Sequence, residues 1–477
     1  MSMPQSFVIM VKTEMTMKNT LKVLCAAVLF AAVSGCRKSD SDQEKYGGHG
    51  FKYMHGWSST DFTGYHVYDG EKLAVLDHEA SLQITDPERM PVLDGAEACY
   101  PLYAAAAKAV YKDIGSLEKQ YMEAEDRYDN GKIVTFTNTV MGYDRLVGGQ
   151  VDIIIAAGPS QNQKDMARSS IEQIRTVPIG REAFVFFVEE DNPVDTLTAE
   201  QIRKIYSGEI TNWKDVGGKD QKITAFQRPE DSGSQVMMRY FMGDVPLMEP
   251  KTYETINAME GVVQQVAQYH NEAGAFGYTF KYFLTGLNQE KHVKILRIDD
   301  IEPTAENIRS GRYPAIANVV AATLVSNNDP DVRAMVEFFL SKDGQELVEK
   351  TGYAALPDPK YEERIENNLP SLNVYQSMES SRKIEVNAEN TYSGRYIDSS
   401  GNIHRGSWNY YGQQMDIEEI RDHYSFYYES GGTYGEIILK EENGGFTVEG
   451  YLTADSRWST SKTMPDMPDP GEHFVLQ

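Results

Sequence analysis

The sequence predicts an α/β protein followed by a small antiparallel β domain. Three observations predict it. From Pro91 onward, apolar runs of strand length alternate with stretches of helical periodicity, the pattern of a sheet covered by helices on both faces. After about Asp358 the texture changes, and residues 375–477 become rich in Tyr, Ser, Gly and Asn. Within that region Gly435–Glu441 and Phe446–Asp455 alternate apolar and polar residues across Asn443-Gly444-Gly445, a hairpin signal. The 477 residues, 41% hydrophobic and 25% charged, supply apolar material for more than one core.

The chain opens with a compartment signal. Lys18 and Lys22 form a short basic start, Leu21–Val33 is almost wholly apolar, and Val33-Ser34-Gly35-Cys36 follows. A basic region, a short apolar region and small residues before a cleavage point read as a secretory signal, and the stretch is short for a membrane span. The end of this segment resembles a bacterial lipobox, so residues 1–36 are expected to be a lipoprotein signal peptide with Cys36 as the lipidated terminus. Met17 is an alternative start, since nothing in Met1–Thr16 fits these regions. With Cys25 removed and Cys36 lipidated, Cys99 stands alone, which leaves no intrachain disulfide and no cysteine metal site.

Residues 37–90 are expected to be a tether and an extended N-terminal arm. His49, His55, His66 and His78 fall there at no metal-ligand spacing. Strands are expected at Lys132–Phe136, Val151–Ala156 and Ala183–Val188, with a helix near Tyr143–Val147. Leu197–Gly208 is a packing helix: Thr198 and Gln201 form a capping box, Ile202, Ile205 and Tyr206 give one apolar face, and Gly208 stops it. The net charge of −25 excludes nucleic-acid and anionic-membrane partners. It does not exclude an anionic ligand, because backbone N–H groups and one arginine suffice to hold one inside a pocket.

Three segments share one design, a strand, a short small or polar loop and a helix start. They are Leu93–Pro101 before an Ala-rich helix, Thr137–Gly142 before the Tyr143 helix, and Phe226–Ser234 before a helix at Gln235–Phe241. Helix N-termini carry open N–H donors and partial positive charge. Hydroxyls at Thr139, Ser232 and Ser234 add donors, and Arg228 adds a planar fork suited to two oxygens of a tetrahedral anion. Ser and Thr are favoured helix caps in any case, but a cap needs no arginine four residues upstream.

The run Arg228-Pro-Glu-Asp-Ser232-Gly233-Ser234 resembles the anion-binding loop of the phosphate-binding component of bacterial phosphate ABC importers. Leu197-Thr-Ala-Glu-Gln-Ile through Trp213-Lys-Asp-Val-Gly-Gly218 is similar to that family's helix and turn, as are Gly274-Ala-Phe-Gly-Tyr278 and Ser341-Lys-Asp-Gly-Gln345 with Gly352-Tyr353. The resemblance covers about residues 92–357. It implies a periplasmic-binding-protein type II fold, two α/β lobes on a two-strand hinge, with lobe 1 from 91–176 and 283–357 and lobe 2 from 177–282. It further implies a binding protein without cofactor or metal that captures inorganic phosphate for an importer permease, monomeric and held to the membrane only by lipid. Carried over, the ligand contacts are Ala96, Glu97 and Ala98 in the loop that follows Gly95, then Thr139, Arg228, Ser232, Gly233 and Ser234.

Two positions depart from the family. Glu97 stands where a hydroxyl residue is common, and Ala157 where an acidic residue often lies. A carboxylate facing the ligand accepts a hydrogen bond from the proton that phosphate carries and repels a fully ionised anion. Glu97 is expected to take that role or else to point away to solvent or a lysine. Arg181 and Glu182, near the expected crossover, either reach the cleft or pair with each other, and Cys99 is expected to be a small packed residue. Other oxyanions (sulfate, molybdate, arsenate) and a sensor or scavenger without a transporter stay open. A hydrolase is disfavoured, since the chain has no His-Glu-x-x-His, Gly-x-Ser-x-Gly or Gly-Lys-Ser pattern. Trp408, Tyr410, Tyr411, Tyr427 and Tyr428 in the β domain read either as stacking surface or as core and cross-strand pairs.

Overall fold

The computed structural model of the protein describes residues 61–124, 131–250, 274–288, 292–390, 392–415, 420–430, 433–442, 445–455 and 467–477. The signal segment with Cys36 and residues 37–60 of the expected tether and arm lie outside them. In chain order the first elements are β1 (Leu93–Gly95), α1 (Tyr100–Val110), α2 (Ile114–Ala124), α3 (Thr139–Val147), β2 (Ile153–Ala156), α4 (Gln161–Ser169) and β3 (Ile174–Glu189). Then come β4 (Thr196–Leu197), α5 (Ala199–Tyr206), β5 (Thr224–Ala225), α6 (Gly233–Met242), β6 (Ala275–Phe280), β7 (Val293–Ile295), β8 (Arg297–Ile298) and α7 (Ala305–Arg309). The chain returns through β9 (Ile316–Leu324), α8 (Pro330–Leu340), α9 (Lys342–Thr351) and β10 (Arg364–Ile365). The main sheet runs β1-β2-β9-β3-β6-β5, with β7 and β10 also paired to β3.

The long strand β3 joins two lobes. Its first part, Ile174–Ala183, pairs antiparallel with β9, and its second part, Phe184–Val188, pairs antiparallel with β6. One apolar cluster gathers Leu93, Tyr103, Ile154, Ile179, Phe339 and Leu347, and a second gathers Phe186, Tyr206, Trp213, Phe276 and Tyr278. The predicted two-lobe α/β class is the class observed. The helix expected at Leu197–Gly208 is α5, with the Thr198–Gln201 capping box formed and Gly208 at φ +83°, a conformation that favours glycine.

Three expectations need correction. Residues 283–315, assigned to lobe 1, pack with lobe 2: Phe283, Leu284, Leu296, Ile298, Ile308 and Tyr313 join the second cluster, β7 pairs with β3 and β8 with β4. The return to lobe 1 is at β9. Lys132–Phe136 makes only an isolated bridge, Leu93 to Val134. The cause is the Glu118 carboxylate, which accepts the N–H groups of Lys132, Ile133 and Val134 at 2.7, 2.6 and 2.7 Å and so occupies donors that a neighbouring strand would use. Residues 61–90 are not an extended arm; they turn across lobe 1 and bury Phe62, Val67, Leu73, Ile84 and Met90 in its core. His66 meets the Tyr100 hydroxyl at 2.9 Å, and His78 sits between Asp77 and Asp343.

The C-terminal domain is a closed eight-stranded antiparallel barrel, β11 (Leu372–Ser377), β12 (Lys383–Asn387), β13 (Ser393–Ile397), β14 (Ile403–Met415), β15 (Ile420–Ser430), β16 (Thr433–Glu442), β17 (Gly445–Asp455) and β18 (His473–Leu476). The predicted hairpin is β16–β17, paired from Thr433–Asp455 to Glu442–Gly445 with a register shift between Ile438 and Leu439. Closure of β18 onto β11 removes the free edges. Ile384, Tyr396, Phe426, Ile437, Leu439 and Phe474 fill the interior, with Trp408 buried beside them. Tyr427 is partly exposed, and the side chains of Tyr410, Tyr411 and Tyr428 lie outside the description.

Arg181 and Glu182 lie where β3 passes between the lobes, and they do not pair. Arg181 Nη1 donates to the Arg309 carbonyl at 2.9 Å, and Glu182 accepts from the Ala183 and Tyr282 N–H groups at 2.7 and 3.2 Å. Burial pushes the Glu182 carboxyl up from 4.5 to about 7, opposed by the two N–H donors and by Lys281. A carboxyl protonated more readily in the folded than in the unfolded chain stabilises the fold fully below its ordinary range, and that contribution disappears as pH rises through its folded value. Between about pH 4.5 and 7 the Glu182→Gln protein is therefore expected to lose less stability with rising pH than the unaltered protein. Urea titrations at several pH values measure this, and parallel curves would exclude it.

Candidate functional site

The site is built where three helix starts meet at the seam of the lobes. On lobe 1, β1 ends at Gly95 and the chain enters a single 3-10 turn, Glu97–Cys99, before α1. Ala96 precedes that turn and provides no side-chain cap for its first N–H groups. The second start is α3, which Asn138 caps by accepting the Met141 N–H, placing Thr139 at the first helical position. The third, on lobe 2, is α6, which Ser232 caps by accepting the Gln235 N–H at 3.3 Å, placing Gly233 and Ser234 in the first turn.

The lobes are closed on one another here. A Cβ built on Gly233 would lie 3.0 Å from Thr139 Oγ1 and 3.6 Å from Ala157 Cβ, so the approach is close and leaves little room for a side chain. Ala98 and Ala157, both from lobe-1 loops, pack into the apolar cluster of lobe 2. All eight residues carried over are buried: Ala96, Glu97, Ala98, Thr139, Arg228, Ser232, Gly233 and Ser234. Ser234 is 1% exposed, and its Oγ has no hydrogen-bond partner among the described residues, a costly state for a buried hydroxyl.

Arg228 and Glu97 lie close enough across the seam for their charges to interact. Arg228 is 8% and Glu97 9% exposed. Burial pulls the Arg228 guanidinium down to about 10, and the Glu97 carboxylate, with Tyr278, works in the opposite direction. Glu97 does not reach out to solvent, and Ala157 leaves the neighbouring position without a carboxylate. The Arg228 backbone is fixed from behind: its N–H donates to Tyr278 Oη at 3.0 Å and Gln235 Oε1 at 3.2 Å, and Tyr278 donates to the same Gln235 oxygen. Glu230, three residues before Gly233, pairs with Arg239 instead of entering the cleft.

Sequence reasoning missed the residue that holds the two lobe-1 loops together. Asp94 is fully buried and accepts from the Gly95 N–H at 2.7 Å, the Thr137 N–H at 2.8 Å, the Thr137 hydroxyl at 2.9 Å and Arg145 Nη1. Burial pushes its carboxyl up, and Arg145 leads the groups that pull it down. Asp94 precedes the first loop and Thr137 opens the second, so one carboxylate sets their spacing. Its position beside Gly95 in the sequence gave no cue, because the partners lie 43 and 51 residues away. Cys99 is a packed residue, as expected, and burial raises its thiol to about 12. A separate cavity of about 500 Å³ on lobe 2, lined by Asp195, Lys281, Ile295, Arg297, Glu302, Pro303 and Thr304, shares no residue with this site.

Among the described residues no group of three or more His, Cys, Asp or Glu is gathered to hold a metal, and no helix is long and apolar enough to cross a membrane. The arrangement offers a desolvated cation, helix-start N–H groups and one carboxylate. That set has the chemistry to hold an oxyanion through charge-assisted hydrogen bonds.

Residues 94–343 match the model of a PBP superfamily domain. The chain is 27% identical over 201 residues to the phosphate-binding protein PstS of Borreliella burgdorferi, covering 41% of this chain and 71% of that protein. It is 28% identical over 241 residues to PstS of Staphylococcus haemolyticus, covering 48% and 73%. It is 30% identical over 175 residues to PstS of Bacillus subtilis, covering 36% of this chain and about half of that relative, 55%. Among solved structures, an ABC-type phosphate transport receptor from Vibrio cholerae aligns with a TM-score of 0.41 at 23% identity, over 55% of this chain and 99% of that one.

The Asp94 network yields a stability prediction. Asp94→Ala leaves Arg145 buried without its carboxylate and the Thr137 N–H without an acceptor. Breaking a buried ion pair from one side costs about 3–5 kcal/mol. Chemical denaturation of the variant is expected to show a loss of that size, and a change below about 1 kcal/mol would mean that the network does not hold the loops.

Proposed function

The chain belongs to the PBP superfamily, and we propose that it is a non-enzymatic, extracytoplasmic binding protein that captures inorganic phosphate between its lobes and delivers it to an ABC importer. The observation that carries this reading is the closure of α6, with Arg228 before it, onto the lobe-1 loops at Glu97 and Thr139. A tetrahedral anion at that seam would take two oxygens to the Arg228 fork. The others would face the N–H groups at Glu97–Ala98, Thr139 and Gly233–Ser234 and the hydroxyls of Thr139, Ser232 and Ser234. The unpartnered Ser234 hydroxyl supports this, since a ligand oxygen would satisfy it.

Glu97 supplies the selectivity. Phosphate keeps a proton near neutral pH, and Glu97 is the acceptor for it in a cleft where Ala157 supplies none. A sulfate has no such proton and would place its charge against the carboxylate. The similar proteins are phosphate-binding proteins, PstS, which agrees with this choice. The Val33-Ser34-Gly35-Cys36 sequence supports a lipid anchor at Cys36 on the outer side of the membrane. The protein works as a monomer, with the importer permease as its partner.

Calorimetry of the mature protein with phosphate, arsenate, sulfate and molybdate tests the reading. Phosphate and arsenate are expected to bind, and absence of heat with every anion would refute it. Arg228→Ala removes a pair of charge-assisted bonds and is expected to weaken phosphate binding about 100-fold, from ~3 kcal/mol. Glu97→Gln is expected to narrow the preference for phosphate over sulfate, and an unchanged ratio would reject its role.

A further inference from the structure

The anion loop is fastened to lobe 1 by protein contacts beside the ligand position. Asp231, between Arg228 and Ser232, presents its carboxylate to the start of α4. Ser160 Oγ donates to Asp231 Oδ1 at 2.7 Å, and Asn162 Nδ2 donates to Asp231 Oδ2 at 3.2 Å. Ser160 is the N-cap of α4 and accepts the Gln163 N–H at 3.1 Å, while Gln163 Oε1 accepts the Ser160 N–H at 2.8 Å. Gln163 Nε2 then reaches both the Thr139 carbonyl at 3.4 Å and the Asp231 carbonyl at 3.3 Å. The capping box of one lobe-1 helix thus bridges the ligand loop of its own lobe and the anion loop of lobe 2.

We propose that Asp231, held by Ser160 and Asn162, is a positioning residue that latches the cleft shut and so sets ligand residence time without taking part in anion choice. The inference deepens the oxyanion-binding reading and rests on it for its ligand readout. The physical ground is a population argument. Only the closed form offers all the ligand groups, so apparent affinity scales with the fraction of protein that is closed. Bonds between the lobes that need no ligand raise that fraction for every anion alike. They exist only when the lobes are together, so their loss is felt in opening. Glu97 by contrast would discriminate between anions, which separates the two roles. Burial raises the Asp144 carboxyl, and the nearby Asp231 charge adds to that.

The test uses the full mature protein, stripped of bound anion. Small-angle X-ray scattering of the ligand-free form reads closure directly. Asp231→Ala is expected to shift it toward a larger radius of gyration, with Asp231→Asn intermediate because it keeps an acceptor for Ser160. Stopped-flow binding of inorganic phosphate is expected to show dissociation about tenfold faster, an association rate changed less than threefold, and an unaltered phosphate-to-sulfate ratio. In a double-mutant cycle Ser160→Ala and Asp231→Ala are expected to be non-additive, which separates the latch from the loss of a helix cap. Unchanged scattering together with an unchanged dissociation rate would overturn the latch, as would full additivity. If the unaltered protein binds no oxyanion, the functional reading fails, and the scattering of the ligand-free variants still decides on the latch.

Discussion

A guanidinium removed from water between two lobes is the constraint that organises this molecule. Burying a cation is expensive unless negative charge and hydrogen-bond partners come with it. Arg228 is buried at the lobe seam, and the carboxylate of Glu97 lies close enough on the other side for their charges to interact. Every nearby device fits that need. Tyr278 and Gln235 fix the Arg228 backbone, the Thr139 helix start comes against Gly233, and small residues at Ala98 and Ala157 let the two surfaces touch. The chain carries a net charge of −25, so any attraction of this seam for an anion has to come from local geometry and not from overall charge.

The framework behind the seam divides the labour. Asp94 ties the lobe-1 loops to each other, so their helix starts keep one spacing. The continuous strand β3 carries both sheets, with a register shift between Pro178 and Gly180 just before the crossover. Glu182 sits at that crossover and accepts an N–H from each side of it, Ala183 and Tyr282. A carboxyl there, lifted by burial to about 7, places a titratable group in the strand that joins the two lobes.

The barrel is attached to lobe 1. Arg405 pairs with Glu172 at 2.6 Å and reaches Ser326, Arg395 donates to the Ile171 carbonyl, Arg168 bonds Glu389, and Asn387 and Asn390 both donate to the Ser169 carbonyl. These contacts gather at the C-terminal end of α4, where Ile171 adopts a positive φ of 59°. The opposite end of α4 carries Ser160, Asn162 and Gln163. One nine-residue helix therefore has lobe 2 at its start and the barrel at its finish.

Much of this was legible in the sequence because it depends on neighbours in the chain. Caps, glycine stops and period-2 alternation are local signals, and they located α5, α6 and the β16–β17 hairpin. The Arg228–Ser234 run and its helix start are likewise contiguous. What the sequence could not specify was where distant groups meet. Glu118 caps a segment that reads as a strand and prevents it from being one. Residues 283–315 join lobe 2 because their apolar side chains fit its core, although nothing in their order marks the boundary. Arg181 and Glu182, adjacent in sequence, turn to partners 128 and 100 residues away. Local hydrogen bonding is encoded within a few residues, whereas the partner of a buried charge is chosen by desolvation, and that is decided only when the lobes have packed.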